Sequence, residues 1–248
     1  MPPFSNLIIQ PPIIAHRGVS RYAPENTLAA FRKAFALGIH WIELDVMLTM
    51  DNEAVIIHDE LLDRTTNGKG SVEKFSYQAL KDYDAGTWFD PQFSAERIPT
   101  LKQVLQLLDE TGMSANIEIK PQMGREELTV KIVLDLIQKE WKPDRSQLLI
   151  SSFSLLALET VRQYSSDIAL GLLMHEWNPE WQVICDKLHC VTVNVNQDIL
   201  TRENSAEIKA TERLLLAYTV NDSKRAQELF SWGVDAVFSD DPAAILIK

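Results

Sequence analysis

The sequence is short of cysteine, of basic residues relative to acidic ones, and of long apolar runs. Cys185 and Cys190 are its only cysteines. Two thiols cannot build a disulfide framework, and with no CxxC pair and no nearby histidine pair they do not make a zinc signature, so buried free thiols are expected. With 24 Lys+Arg against 35 Asp+Glu and a net charge of -11, a general electrostatic footprint for nucleic acid or an anionic membrane is excluded. Any anionic ligand must then be held by a local cluster of cations. No apolar run approaches the ~18 residues of a transmembrane helix, and the opening MPPFSNLIIQPPII has no basic region and is interrupted by Pro11-Pro12. A cytoplasmic protein without stable membrane anchoring is expected. The phosphate-loop spacing is missing too: TNGKGS at 66–71 lacks it and reads as a glycine-supported turn.

What is present is a chain of 248 residues, 46% hydrophobic and 24% charged, enough to bury a substantial core. Short β-rich runs alternate with segments of helical period, the pattern of βα units around a parallel sheet. Strands are predicted near Ile13–Ala15, Trp41–Val46, Ala115–Ile119, Leu148–Ser151, Ile168–Leu172, Val191–Val195, Leu214–Thr219 and Ala236–Phe238, and eight is the number that closes a TIM (β/α)8 barrel. Leu28, Phe31 and Phe35 form one helical stripe that stops at Gly38; Leu101, Val104, Leu105 and Leu108 form a second, with Thr100 as N-cap and Gly112 beyond its end. Ala54–Ile57 reads as an extra short strand. Residues 59–98 carry aromatics and turn residues without a βα period. The expected organisation is a single α/β domain over 1–248 with an insertion at 59–98, between strand two and helix two.

Active sites of such barrels gather at the C-terminal strand ends. There the first strand delivers His16 and Arg17, the second Glu43 and Asp45, the extra strand His58 and Asp59, and the third Glu118 and Lys120. Later strands bring Ser151, Ser152, Asn194, Asn196, Thr219 and Asn221, which have no strong acid–base chemistry near neutral pH. Residues i and i+2 of a strand share a face, so Glu43 and Asp45 converge, as do Glu118 and Lys120. Three crowded carboxylates call for a divalent cation, and all-oxygen ligation suits Mg²⁺ or Ca²⁺. A metal-free salt-bridge network with Arg17 and Lys120 is the competing arrangement. His16 and His58 can divide proton acceptance and donation, while the planar fork of Arg17 and the charge of Lys120 suit phosphate oxygens. The implied substrate is a phosphate ester. His40, His175 and His189 lack such company and read as structural or surface residues. Cys185 and Cys190 stay outside the cluster.

The ordered set HRG at 16–18, PENT at 24–27, ELD at 43–45, HD at 58–59, EIK at 118–120 and YTVN at 218–221 resembles the glycerophosphodiester phosphodiesterases over nearly the whole chain. The likeness is to the bacterial cytoplasmic branch associated with glycerol-3-phosphate uptake. It implies a TIM barrel that hydrolyses glycerophosphodiesters to an alcohol and sn-glycerol 3-phosphate. By motif it makes His16 and His58 the acid–base pair, Glu43, Asp45 and Glu118 the metal ligands, and Arg17 and Lys120 the phosphate contacts. The partner implied is a small-molecule diester; oligomeric state is not specified, although exposed Trp and Phe in the insertion suit a protein contact or a lid. Two positions depart from the family pattern: Gly18-Val19 replaces a glycine pair, and Tyr218 stands where tryptophan is common. Two alternatives remain open, a phospholipase-like barrel acting on intact lipids and a non-catalytic phosphodiester-binding barrel. Pro24, Asn26 and Thr27 are expected to set the entry of the first helix, Glu25 to orient Arg17 or its loop, and Phe153 to form an apolar pocket wall.

Overall fold

The computed structural model describes residues 7–142 and 147–246. Its strands are β1 (Ile13–Ala15), β2 (Trp41–Leu48), β3 (Ala54–Ile56), β4 (Ser114–Ile119), β5 (Leu148–Ser152), β6 (Ala169–Met174), β7 (Thr192–Asn196), β8 (Leu214–Tyr218) and β9 (Ala236–Ser239). All but β3 are parallel to their neighbours, and β1 pairs with both β2 and β9, so the sheet closes into an eight-stranded TIM barrel. The extra strand β3 runs antiparallel along the outer end of β2, with Val46 opposite Ile56 and Leu48 opposite Ala54. Helices α1 (Leu28–Ala36), α2 (Tyr77–Leu80), α3 (Leu101–Thr111), α4 (Glu126–Glu140), α5 (Leu155–Tyr164), α6 (Trp181–Leu188), α7 (Arg202–Lys209), α8 (Ser223–Ser231) and α9 (Pro242–Leu246) follow the strands, α2 alone lying within residues 59–98.

The wall strands show no outward polar alternation because both faces are covered; all eight residues of β2 are buried. Outward residues such as Ile42, Leu44, Val46, Ile117, Ile150 and Val193 pack beneath the helices. Inward residues Ile14, Trp41, Leu149, Ala169, Leu216, Ala236 and Phe238 fill the lumen. Above Trp41 the inward positions of β2 become Glu43 and Asp45, and along β4 they run Ser114, Asn116, Glu118. The lumen therefore turns from apolar to ionisable along the strand direction. Burying the apolar end stabilises the barrel by about 25 cal/mol per Å² removed from water, which offsets the cost of holding charges at the other end.

Local signals act as expected in the second striped helix. In α3 the Thr100 hydroxyl accepts from Gln103 N while the Gln103 side chain accepts from Thr100 N, and Gly112 takes the left-handed conformation (φ 68°) that ends the helix. Residues 59–98 hold two 3₁₀ turns, Val72–Lys74 and Pro91–Phe93, besides α2. Leu62, Val72, Leu80, Ala85 and Ile98 form a small core there against Met47, Val55 and Ile57. Trp88, Phe89 and Phe93 stack edge to face on one another. A segment built from short turns around a few apolar residues has no period to read. Cys185 and Cys190 are both buried and free.

Candidate active site

The register places Glu43 opposite Asn116 and Asp45 opposite Glu118 across β2 and β4. One carboxylate oxygen from each of Glu43, Asp45 and Glu118 lies within 4.8 Å of the others. Burial pushes the Glu43 carboxyl well above the ordinary range, with the charges of Asp45 and Glu118 adding to it. Burial and Asp45 push Glu118 up to about 8. Burial opposes ionisation of Asp45 as well, but Arg17, Lys120, His58 and the Asn26 amide outweigh it and hold Asp45 below the usual carboxylate value.

The neighbouring cations do not satisfy this cluster by themselves. Arg17 Nε is 3.6 Å from Asp45, and Lys120 Nζ is 3.7 Å from Asp45 and 3.8 Å from Glu118, too long for hydrogen bonds. Glu43 Oε1 and Glu118 Oε1 are buried with no hydrogen-bond partner. Two orphaned carboxylate oxygens in an all-oxygen donor set fit a hard divalent cation better than a closed salt-bridge network.

Arg17 is aimed by the turn that follows β1. Arg17 and Gly18 both have left-handed φ, 54° and 80°. A Cβ at Gly18 would lie 2.7 Å from the Ala30 Cβ of α1, so only glycine lets the helix approach this closely. The turn directs the Arg17 backbone N–H to Glu43 Oε2 at 2.8 Å and its guanidinium to Glu25 Oε1 at 2.9 Å. Glu25 thus orients Arg17, as expected, and lies outside the carboxylate trio. Thr27 caps α1 by accepting from Ala30 N. Asn26 does something different from the expected helix entry: with φ 57°, it donates through Nδ2 to Asp45 Oδ2 at 2.8 Å and accepts from Asp45 N. It braces a carboxylate, because the left-handed turn swings its amide inward.

Each of the paired histidines has its own carboxylate. His16 Nδ1 is 2.7 Å from Asp240 Oδ1, and His58 Nδ1 is 2.6 Å from Asp59 Oδ1. An ionised carboxylate only accepts, so each ring carries hydrogen on Nδ1 and keeps Nε2 for proton transfer. Burial lowers the His58 pKa, and Arg17 and Lys120 lower it further against Asp45. Asp240 is held far below the ordinary carboxylate value although burial opposes this, because His16, Asn221 and Ser20 hydrogen-bond it.

Several cavities open on this rim: one of about 570 Å³ lies on the outer side of His16 and Arg17, against Glu25, Asn221 and Asp240, and two more meet at the carboxylates. The smaller of these two, about 330 Å³, is lined by His16, Arg17, Glu43, His58, Asn116 and Glu118, with Phe153, Tyr218 and Phe238 among its apolar walls. The other, about 530 Å³, is lined by His58, Asp59, Glu118, Lys120, Leu61 and Pro121. They share His58, Glu118 and Phe153. Phe153 is thus a wall of both, standing edge to face with Tyr218 at 6.1 Å between centroids. In the smaller cavity Asn116 Oδ1 and Tyr218 Oη are buried without hydrogen-bond partners. His175, expected to be structural or superficial, also lines this cavity, with Nδ1 3.4 Å from Asn196 Nδ2. His40 is exposed, and His189, exposed at φ 50°, ends α6.

Two site residues escape a reading of the sequence. Asp240 follows the last strand, and its signal was available: in a closed barrel the end of β9 adjoins the end of β1. Arg64 lies in the segment without period. It donates to Asp59 Oδ2 through Nε at 2.6 Å and to Glu25 through both terminal nitrogens at 2.6 and 2.8 Å. Asn221, near the rim in the expected reading, supports the loop: it donates to Asp240 Oδ2 and accepts from Asp240 N, both at 2.8 Å.

Fold and site together define a (β/α)8-barrel hydrolase centre for a phosphoric diester. The chain belongs to the Glycerophosphoryl diester phosphodiesterase family, whose sequence profile matches residues 16–244. It is 35% identical to a glycerophosphodiester phosphodiesterase of Caldanaerobacter subterraneus, over 94% of this chain and 96% of that protein. It is 33% identical to a glycerophosphodiester phosphodiesterase of Bacillus subtilis, over 92% of this chain and 83% of the relative. Its fold matches, with a TM-score of 0.92 and 39% identity, an Oleispira antarctica phosphodiesterase solved with the product sn-glycerol-3-phosphate, 95% of each chain being covered.

Proposed function

We propose that this enzyme hydrolyses soluble glycerophosphodiesters to an alcohol and sn-glycerol 3-phosphate with a divalent cation, using His16 and His58 for proton transfer. The observation that carries this reading is the meeting of both histidines with Arg17 and the orphaned carboxylate oxygens on one cavity. Glu43, Asp45 and Glu118 would hold Mg²⁺ or Ca²⁺, which when bound offsets charge on the phosphoryl oxygens. Arg17 and Lys120 add positive charge and orient the phosphate. One imidazole accepts the proton of the attacking oxygen and the other protonates the departing alcohol; water as the attacker gives glycerol 3-phosphate directly, whereas the neighbouring glycerol hydroxyl gives a cyclic phosphate that water then opens to glycerol 3-phosphate. Their carboxylate partners Asp240 and Asp59 keep the tautomers in register for this exchange.

The smaller cavity suits the glycerol half, because Asn116 Oδ1 and Tyr218 Oη can pair with its hydroxyls. The adjoining groove of about 530 Å³ then receives the alcohol. Free buried thiols accord with a cytoplasmic location, and the net charge of -11 with a small-molecule partner in place of nucleic acid. The test is a product-resolved assay over several head groups with Mg²⁺, Ca²⁺ and chelator in parallel. Release of glycerol 3-phosphate from glycerophosphocholine should need a divalent cation; undiminished turnover in excess chelator overturns the metal assignment.

A second reading draws on exposed apolar side chains at the groove. Leu61 and Phe153 line it, at 52% and 47% exposure, and Met123 beside Gln122 is 97% exposed. Such a lip suits a lipid substrate. Faster cleavage of dispersed phospholipid than of soluble diester would favour it.

A further inference from the structure

We infer that Arg64 is a positioning residue that ties His58 to Arg17, and that residues 59–98 serve to hold its guanidinium in place. This rests on the hydrolytic reading of the site. An unbroken chain of hydrogen bonds runs His58–Asp59–Arg64–Glu25–Arg17, with links of 2.6, 2.6, 2.6 and 2.9 Å. Arg64 engages both carboxylates through two nitrogens each, Nη2 serving both. Glu25 is only 11% exposed and Asp59 30%.

One guanidinium therefore bridges two acids that would otherwise repel each other. Bidentate geometry and membership of a network are the conditions under which a partly exposed ion pair contributes measurably. Lysine cannot replace it, since an ammonium is a point charge without a planar fork. Arg64 is itself located by residues 59–98. The preceding turn is pinned by Leu62, which is fully buried in the small core, by Leu62 N donating to Gly70 O and by Thr66 N donating to Leu62 O. Asp63, next in the chain, accepts from Gly70 N at 2.9 Å. The segment thus delivers one side chain to a point between two functional groups that the barrel alone leaves unconnected.

Two effects should separate. Through Asp59, Arg64 sets the ring of His58 and hence kcat; through Glu25 it sets Arg17 and hence KM. Turnover of glycerophosphocholine by the wild type tests the functional reading, and the variants test the inference. R64A should lower kcat about 100-fold and raise KM in a protein that stays folded, its unfolding temperature lower by a few degrees at most, and R64K should recover little of either. In a D59N background R64A should cost little further kcat yet still raise KM; in an E25Q background the pattern should reverse. Added guanidinium should partly restore R64A. Independently of turnover, ¹⁵N NMR of the His58 ring should show one tautomer in the wild type and a mixture in R64A. The inference is overturned by R64A within twofold of wild type, by full rescue in R64K, by additive losses in both backgrounds, or by an unaltered His58 tautomer.

Discussion

His16 and His58 face one cavity yet are held by different parts of the molecule. His16 leans on Asp240, which is itself fixed by Ser20 and Asn221, and all of these stand on turns that barrel closure brings together. His58 lies beyond the wall, after β3, and leans on Asp59 and through it on Arg64 of the 59–98 segment. The first support is a consequence of joining β9 to β1. The second needs the 59–98 segment and the small core that it builds against Met47, Val55 and Ile57. A barrel can therefore lose the order of one histidine while keeping that of the other.

The largest expected effect abolishes the comparison altogether. H16A and H58A should each lower kcat by about 10²–10⁴ in a product-resolved assay; near-native turnover in either breaks the pairing of roles. The carboxylate partners come next, with D240N and D59N each lowering kcat by about 10–100-fold. Both carboxylates are held below their ordinary value in the folded state, so both variants should change how stability depends on pH, as Asp240 illustrates. Asp240 is depressed in the folded state, so the unfolded chain binds its proton more readily. Its contribution is complete above the ordinary carboxylate pKa and is lost as pH falls. The stability gap between wild type and D240N should be at full size from about pH 5 upward and shrink below about pH 4, as denaturant titrations over that range will report.

A smaller effect isolates residues 59–98. L80A empties a fully buried position of their core and should cost about 2–5 kcal/mol. Hydrogen exchange should rise within 59–98 and not in β9 or its turn, with a fall in kcat that traces to His58. Uniform loosening of the barrel would erase the distinction between the two supports. The smallest effect concerns the glycerol half. Y218F removes one hydroxyl and should cost about 1 kcal/mol, roughly a fivefold loss of kcat/KM for glycerophosphocholine. Bis(4-nitrophenyl) phosphate, which lacks glycerol, should be unaffected; an equal loss on both would remove the hydroxyl from substrate recognition.

Much of the barrel was legible because its units repeat: eight apolar runs name the fold, with helical stripes legible in two of the intervals, although Phe35 of the first stripe is exposed, and boundaries shifted by only a residue or two where β2 runs on to Leu48 and β6 to Met174. The carboxylate trio was legible because i, i+2 spacing survives folding unchanged. Asn26 departs from the expected helix entry because a polar residue before a helix ordinarily caps it, and nothing local reveals that its φ is 57°. His175 looked unaccompanied because its company at the cavity is gathered from other strands. Arg64 had no signal, since its two partners are 5 and 39 residues away.

The sequence by itself determined the alternation of strand and helix, the polar ends of the early strands and the types of group available there, since these depend on periodicity and local chemistry. Only the tertiary structure decided which carboxylate each histidine meets, that two acid oxygens are left without partners, and that one arginine joins both sides of the site. Such pairings depend on closure of the sheet and on the path of an aperiodic segment, and distance along the chain carries no information about either.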